Sequence, residues 1–237
     1  MKMVRKIICA LDTNNLEEAV RVVKRMAPFV GAFKVGHGLT LPHGLDVLDR
    51  LREAGADRIF LDLKFHDIPN SVALAVAEAA RRGVWMMTLH TSGGPAMMAA
   101  AVAEAREWSD GPGPLLVGVS VLTSLDQHTL TDHLGVARTI EEQMVYLSRL
   151  AVDMELDGVV CSPQEVKAVR QAIGHKIIVT PGIRLPNGEH HDQKRVGEAA
   201  ATLDAGADYL VIGRALTSCD DPEATLAKLG LADVHHV

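Results

Sequence analysis

Five ionisable residues in the first third of the chain stand at or near the ends of short apolar segments. Asp12 ends the first segment, Lys34 lies in the second, Asp62 and Lys64 end the third, and Asp67 follows in the next loop. Residues two apart in a strand share a face, so Asp62 and Lys64 should meet, with Lys34 approaching from the neighbouring strand. Burying such charges costs several kcal/mol per ion before pairing. The set therefore predicts a functional cluster of alternating charge, and a purely structural salt-bridge network is the alternative.

A second group of residues has the chemistry of a phosphate site. The segments Pro181–Arg184 and Gly213–Arg214 follow the last two apolar segments. Glycine lets a backbone N–H approach an anion, and a guanidinium pairs with it through two hydrogen bonds. Gln193 can add a donor from beyond residues 182–192, which have the composition of a mobile loop. The alternative is that Arg214 only pairs with a surface carboxylate.

Thr123 and Ser124 open another long connection, residues 123–139, after the fifth apolar segment. Their hydroxyls have two possible uses. They can hydrogen-bond a ligand at the mouth of the fold, or they can cap a turn. The residues alone leave both open.

The order of the predicted elements explains how these residues meet. Apolar runs alternate with segments of helical periodicity, such as that of Leu16, Ala19, Val20 and Val23. This alternation builds a parallel sheet whose strands are buried on both faces. Eight such units predict an α/β fold, a (β/α)8 TIM barrel forming one domain over residues 1–237, with its site at the carboxyl ends of the strands. The predicted strands are residues 7–12, 32–36, 59–64, 85–91, 115–122, 158–162, 176–180 and 209–213.

Composition excludes several classes of protein. A net charge of −6 with 3% aromatic residues argues against nucleic-acid binding. Apolar runs are too short for a membrane span, and residues 7–10 are too short for the core of a signal peptide, so we expect a cytoplasmic protein with no membrane partner. The three cysteines form no C-x-x-C pair, so reduced thiols are expected.

One segment carries a specific motif. Residues 60–69 read Phe-Leu-Asp-Leu-Lys-Phe-His-Asp-Ile-Pro, in which D-x-K-x-x-D is followed by Ile-Pro. This closely resembles the signature of the orotidine 5′-phosphate decarboxylase family. Two departures from the family pattern occur: Ser71 stands where threonine is usual, and residues 197–199 replace a common Thr-Pro segment. Further matching segments include residues 10–12, 33–36, 121–124, 157–162, 180–184, 192–196 and 212–214.

The D-x-K-x-x-D element also occurs in a sister group of magnesium-dependent sugar-phosphate decarboxylases and synthases. That group has a metal-binding carboxylate at the position of Lys34, whereas a lysine is a cation that repels a metal. The resemblance therefore implies the metal-free branch, which needs no cofactor. Three alternatives remain open: a magnesium-dependent sugar-phosphate lyase, a Schiff-base aldolase using Lys34 or Lys64, and a non-catalytic barrel that binds a phosphorylated ligand.

The resemblance implies that orotidine 5′-phosphate is converted to UMP and CO₂ at sites shared by a homodimer. Lys64 would stabilise and protonate the C6 carbanion, between Asp62 of its own chain and Asp67 of the neighbouring subunit. Lys34 and Asp12 would bind the ribose and complete the charge network, and Thr123 would contact the pyrimidine. The remaining residues assigned to substrate binding are Asp62, Ile68, Ser71, Arg184, Gln193, Gly213 and Arg214.

Overall fold

The computed structural model describes residues 3–108, 111–184, 195 and 197–231. Eight parallel strands form a closed barrel in which each strand pairs with its neighbours in chain order, β1 to β8, and β8 pairs with β1. The predicted (β/α)8 TIM barrel is confirmed. The strands are β1 Ile7–Leu11, β2 Ala32–Val35, β3 Ile59–Phe65, β4 Met86–His90, β5 Leu115–Val119, β6 Gly158–Val160, β7 Ile177–Thr180 and β8 Tyr209–Ile212.

Helices connect these strands around the outside of the barrel. Short 3-10 turns at Met3–Lys6 and Thr91–Gly93 and a π-helical turn at Thr129–His133 complete the regular structure of the described residues. None of the described helices is long and apolar enough to span a bilayer. The α-helices are α1 Leu16–Met26, α2 His37–His43, α3 Val47–Glu53, α4 Pro69–Arg81, α5 Pro95–Glu107, α6 Ile140–Asp153, α7 Val166–Ile173, α8 Ala199–Asp204, α9 Arg214–Thr217 and α10 Pro222–Lys228.

The strands are apolar on both faces because each face packs against a different core. One set of side chains, including Ile8, Phe60 and Val179, fills the barrel interior. The alternate set, including Leu61 and Met87, packs against the surrounding helices. This two-sided burial is the reason that the strands read as continuous apolar runs in the sequence.

Several helix starts follow from local sequence. The Asn15 side chain caps α1 by accepting a hydrogen bond from the Glu18 amide at 3.0 Å, and Asp221 caps α10 in the same way, with Pro222 in its first turn. The sequence predicts a cap at Asn14 or Asn15 for the first helix and at Asp221-Pro222 for the last, and the structure selects Asn15 and confirms Asp221. The sequence also predicts a helix that starts at Ser162-Pro163. This prediction is wrong, because these residues belong to a turn and α7 begins at Val166.

Two strands end earlier than predicted. β5 ends at Val119 rather than Leu122, and β6 ends at Val160 rather than Ser162. The chain leaves the sheet there and lines the mouth of the barrel, and the hydroxyl of Ser120 donates to the Val160 carbonyl at 2.9 Å. Most of the predicted mobile segment, residues 182–192, lies outside the described residues.

Candidate active site

Four charged side chains form a continuous network at the carboxyl ends of β1, β2 and β3. Lys34 Nζ lies 2.9 Å from Asp12 Oδ1 and 3.4 Å from Asp62 Oδ2. Lys64 Nζ lies 2.9 Å from Asp62 Oδ1. The predicted alternation of charge is therefore present in this order: acid, base, acid, base.

Burial and pairing act in opposite directions on the two central groups. Burial alone would raise the pKa of Asp62, but the charges of Lys34 and Lys64, with hydrogen bonds from Lys64 and Thr88, hold it below its usual value. Burial alone would lower the pKa of Lys34, but the carboxylates of Asp62 and Asp12 raise it above its usual value. Asp62 and Lys34 are therefore both held in their charged forms.

The backbone of β3 is irregular where it carries this network. Leu61 pairs with Met87 and Phe65 pairs with Leu89, so three residues of β3 stand opposite the single residue Thr88 of β4. Lys64 has a positive φ of 50°, in the left-handed region that non-glycine residues seldom adopt. The predicted proximity of Asp62 and Lys64 is confirmed, but regular strand alternation is not its cause.

The network lines one wall of a cavity of about 820 Å³ in the barrel mouth. Apolar side chains such as Val119, Val179 and Val211 also line it, and such a mixture of apolar surface with a few placed polar groups is typical of sites for small organic ligands. Of the residues predicted for the site, those that line this cavity are Asp12, Lys34, Asp62, Lys64, Thr123, Arg184, Gly213 and Arg214.

The cationic side of the cavity is held by a short backbone bridge. Gly182 has a φ of 85°, a conformation that favours glycine, and its carbonyl accepts a hydrogen bond from the Gly197 amide at 3.1 Å. The Arg184 amide in turn donates to the Gly197 carbonyl at 3.1 Å. These bonds fix the start of the Arg184 segment beside the end of β7.

Three predicted site residues lie away from this cavity in the single chain. Asp67 is exposed, its Oδ1 accepts a hydrogen bond from the Ile68 amide at 2.6 Å, and it forms no ion pair with a described residue. Ile68 is 67% exposed, and Ser71 lies in the first turns of α4. Of the two carboxylates expected to flank Lys64, Asp62 of the same chain lies beside it, and the contact with Asp67 of a neighbouring subunit stays a prediction. Gln193 lies outside the described residues.

Arg195 and Glu165 form a buried ion pair that the sequence analysis did not single out. Arg195 Nη1 lies 2.8 Å from Glu165 Oε1, and Nη2 donates to the carbonyls of Val121 and Leu122 at 3.2 and 3.0 Å. Glu165 also accepts a hydrogen bond from Ser162. Burial raises the pKa of Glu165, although the charge of Arg195 opposes this. The pair therefore supports the chain just before the cavity-lining residue Thr123.

The described side chains of the site do not form a set of metal ligands. Within the part of the chain that the structure describes, no three His, Cys, Asp or Glu side chains cluster as metal ligands. The gap between Asp12 and Asp62 is occupied by the Lys34 ammonium, which supplies the positive charge that would otherwise have to come from a cation. Cys161 lines the cavity, but burial raises its thiol pKa to about 12.

Fold and site together define a (β/α)8-barrel enzyme with a lysine–carboxylate centre and a cationic rim. The model of the orotidine 5′-phosphate decarboxylase / HUMPS family matches residues 5–229. The chain belongs to this family.

Named relatives of high similarity agree with this assignment. Orotidine 5′-phosphate decarboxylase from Pseudoalteromonas translucida is 45% identical over 226 residues, covering 95% of this chain and 95% of the relative. The enzyme of the same name from Moorella thermoacetica is 44% identical over 223 residues, covering 92% and 88%. The crystal structure of orotidine 5′-phosphate decarboxylase from Lactobacillus acidophilus superposes with a TM-score of 0.82 at 31% identity, covering 98% of this chain and all of that chain.

Proposed function

We propose that this chain converts orotidine 5′-phosphate to UMP and CO₂, with Lys64 as the catalytic residue. The observation that carries the mechanism is the position of the Lys64 ammonium, 2.9 Å from Asp62 in a cavity that also presents Arg184 and Arg214. If a nucleotide binds with its phosphate at the two arginines and its base toward β3, its reacting carbon lies beside this ammonium.

The reaction is difficult because the electrons released at C6 of the pyrimidine have no conjugated acceptor. The bond between C6 and the carboxylate carbon breaks, CO₂ leaves, and the electron pair stays on C6. The Lys64 ammonium stabilises this negative charge and then gives its proton to C6, which forms UMP. The neutral amine regains a proton from solvent after product release.

Asp62 and Lys34 prepare the site before the substrate arrives. The Asp62 carboxylate holds the Lys64 ammonium and would stand beside the carboxylate of the bound substrate, where like charges repel. Lys34 and Asp12 lie next to each other and bind the ribose hydroxyls. Because these charges are already oriented, little reorganisation is needed when charge develops at C6.

The opposite rim holds the phosphate and the base. Arg214, Arg184 and the Gly213 amide form the phosphate site, with Gln193 as a further donor, and Thr123 contacts the pyrimidine. Binding energy from the phosphate, which does not react, then contributes to positioning C6 at Lys64.

Asp67 reaches the active site of a neighbouring subunit, so that the working enzyme is a homodimer with shared sites. Two features support this part of the proposal: Asp67 makes no ion pair within the described residues of its own chain, and the adjacent Ile68 exposes 67% of its surface. Both side chains are therefore available for contact with a second chain. We place the enzyme in the cytoplasm.

The proposed reaction uses neither metal nor cofactor. The family also includes sugar-phosphate enzymes for which we expect a metal-binding carboxylate at position 34. Here Lys34 is held 2.9 and 3.4 Å from two carboxylates, and its ammonium would repel a divalent ion at that place. This contact favours the nucleotide reaction over the magnesium-dependent alternative.

An absorbance assay tests the assignment. We expect the ultraviolet absorbance of orotidine 5′-phosphate to change to that of UMP at full rate in EDTA, since no metal takes part. Lys64→Ala should abolish turnover while circular dichroism and UMP binding show a folded protein. The exposed Lys167 on α7 provides a matched control, and Lys167→Ala should leave the rate unchanged. Loss of activity in EDTA, or turnover in Lys64→Ala, would refute the mechanism.

A further inference from the structure

We infer that Thr88 is a positioning residue for Lys64 and Asp62. Its hydroxyl, on β4, forms hydrogen bonds with both residues. The expected effect of Thr88 on kcat rests on the proposed function, whereas its effect on the conformation of Lys64 does not depend on the substrate.

The position of Thr88 follows from the irregularity in β3. Asp62, Leu63 and Lys64 all stand opposite Thr88, between the regular pairs Leu61–Met87 and Phe65–Leu89. Extra residues of this kind take the backbone out of the sheet ladder. The Lys64 amide is therefore supplied with an acceptor by a side chain of β4 instead of by its backbone.

The Thr88 hydroxyl acts as both a hydrogen-bond acceptor and a hydrogen-bond donor. It accepts a hydrogen bond from the Lys64 amide at 2.8 Å and donates one to Asp62 Oδ1 at 3.0 Å. The same Asp62 oxygen accepts from Lys64 Nζ at 2.9 Å. One hydroxyl thus holds the backbone of the lysine and the carboxylate that orients its ammonium.

This arrangement has a conformational consequence. A non-glycine residue in the left-handed region costs about 1–3 kcal/mol and persists only where its surroundings enforce it. Lys64 has φ 50°, and Thr88, which is 1% exposed, provides a rigid buried anchor for that conformation. Without the hydroxyl, the Lys64 amide and Asp62 Oδ1 each lose a partner, and the ammonium is free to leave the position in which it meets C6.

We expect a selective effect on turnover. Thr88→Val keeps the shape of the side chain and removes the hydroxyl, and it should lower kcat about 10- to 100-fold, the range that corresponds to losing a hydrogen bond to a charged group. The KM for orotidine 5′-phosphate and the affinity for UMP should change less than threefold, because phosphate and ribose contacts remain. Thr88→Ser should keep most of the rate.

Thr91 provides the control. It lies just past the end of β4, is fully buried, and its hydroxyl has no hydrogen-bond partner among the described residues. Thr91→Val makes the same chemical change without breaking a contact, so it should leave kcat within twofold of wild type. If Thr88→Val fails to fold, Thr88→Ala and Thr88→Ser make the comparison, because they differ by the hydroxyl alone.

Hydrogen exchange separates this inference from the proposed reaction. The Lys64 amide should exchange at least tenfold faster in Thr88→Val than in wild type or Thr88→Ser, whatever substrate the protein uses. Failure of the wild type to decarboxylate orotidine 5′-phosphate would overturn the proposed function and leave this measurement to decide the role of Thr88. The inference would be overturned if Thr88→Val left both the exchange rate of the Lys64 amide and kcat unchanged. It would also be overturned if Thr88→Val and Thr88→Ser lowered kcat by the same factor, or if Thr88→Val weakened UMP binding by as large a factor as it lowered kcat.

Discussion

The Lys34–Asp62 ion pair allows the charge network to be tested by its energetics. The two charged atoms lie 3.4 Å apart, and the side chains are 14% and 11% exposed. At an effective dielectric constant near 20, their attraction is about 5 kcal/mol before desolvation. The unfavourable free energy of removing both ions from water offsets a large part of this attraction. We therefore expect a net coupling free energy of about 2 kcal/mol between the two residues.

The single variants should differ in stability. Asp62→Asn leaves two lysines without their shared carboxylate and should lower the free energy of unfolding by about 3 kcal/mol, since breaking a buried pair costs about 3–5 kcal/mol and Lys34 retains Asp12. For a chain of this size, that corresponds to a fall in Tm of about 6–12 °C. Lys34→Met should cost less, because Asp62 keeps its contacts with Lys64 and Thr88. The double variant should be about 2 kcal/mol more stable than the sum of the single changes predicts.

Urea unfolding of the four proteins at neutral pH measures this coupling. All samples need one protein concentration, because the stability of the proposed dimer would depend on it. The exposed pair Arg50–Glu53, 3.6 Å apart with side chains 57% and 74% exposed, provides a control cycle whose coupling should be under about 0.5 kcal/mol. Additive effects at Lys34 and Asp62, or equal coupling in the two cycles, would refute the reasoning that this network is held by buried electrostatics.

Three further predictions concern the site. Co-refolding inactive Lys64→Ala and Asp67→Asn chains should restore activity, because a heterodimer contains one site with both groups; heterodimers seen by native mass spectrometry without activity would contradict shared sites. Arg214→Ala should raise the KM for orotidine 5′-phosphate far more than that for orotidine in initial-rate assays, and an equal effect on both would argue against a phosphate contact. The lowered pKa of Asp62 means that its stabilisation is fully present above its unfolded-state pKa near 4 and is lost as the pH falls through the folded-state value. The stability difference between wild type and Asp62→Asn should therefore narrow progressively as the pH falls below about 4 in urea titrations, and a gap that stays constant down to the lowest pH reached would contradict this cause.

The barrel could be predicted from sequence because its signal is repeated along the chain. Each strand buries both faces, so each appears as an apolar run, and the intervening helices show a different period. The ends of the strands are less visible. Leu122 and Cys161 are apolar because they line the cavity wall, not because they belong to a strand. They follow their strands directly, so the apolar run continues past the strand end.

The proximity of the charged residues could also be predicted, although the backbone geometry assumed for it was wrong. Residue spacing suggested that Asp62 and Lys64 meet because strand residues alternate. In the structure the alternation is broken between Leu61 and Phe65, and the two side chains meet through a left-handed turn at Lys64. Backbone irregularities of this kind depend on contacts with the next strand, which a local sequence pattern does not contain.

The supporting residues could not be identified from the sequence. Thr88 is a β-branched residue within a strand, which is ordinary for its position. Arg195 and Glu165 are 30 positions apart, and their pairing follows from the closure of the barrel. Each of these side chains matters through a partner that is distant in the chain, so no spacing rule singles it out.

The order of charges around the barrel mouth separates the roles of the two lysines. Lys34 lies between two carboxylates, and its side chain is 14% exposed, so its charge is balanced and its position is fixed. Lys64 ends the network: within the described residues it pairs only with Asp62, and its side chain is 35% exposed. Additional negative charge is therefore best accommodated at Lys64. In the proposed enzyme that charge would come from Asp67 of the partner subunit before the reaction and from C6 of the pyrimidine during it, so the contact across the proposed dimer and the catalytic step would use the same side of one ammonium.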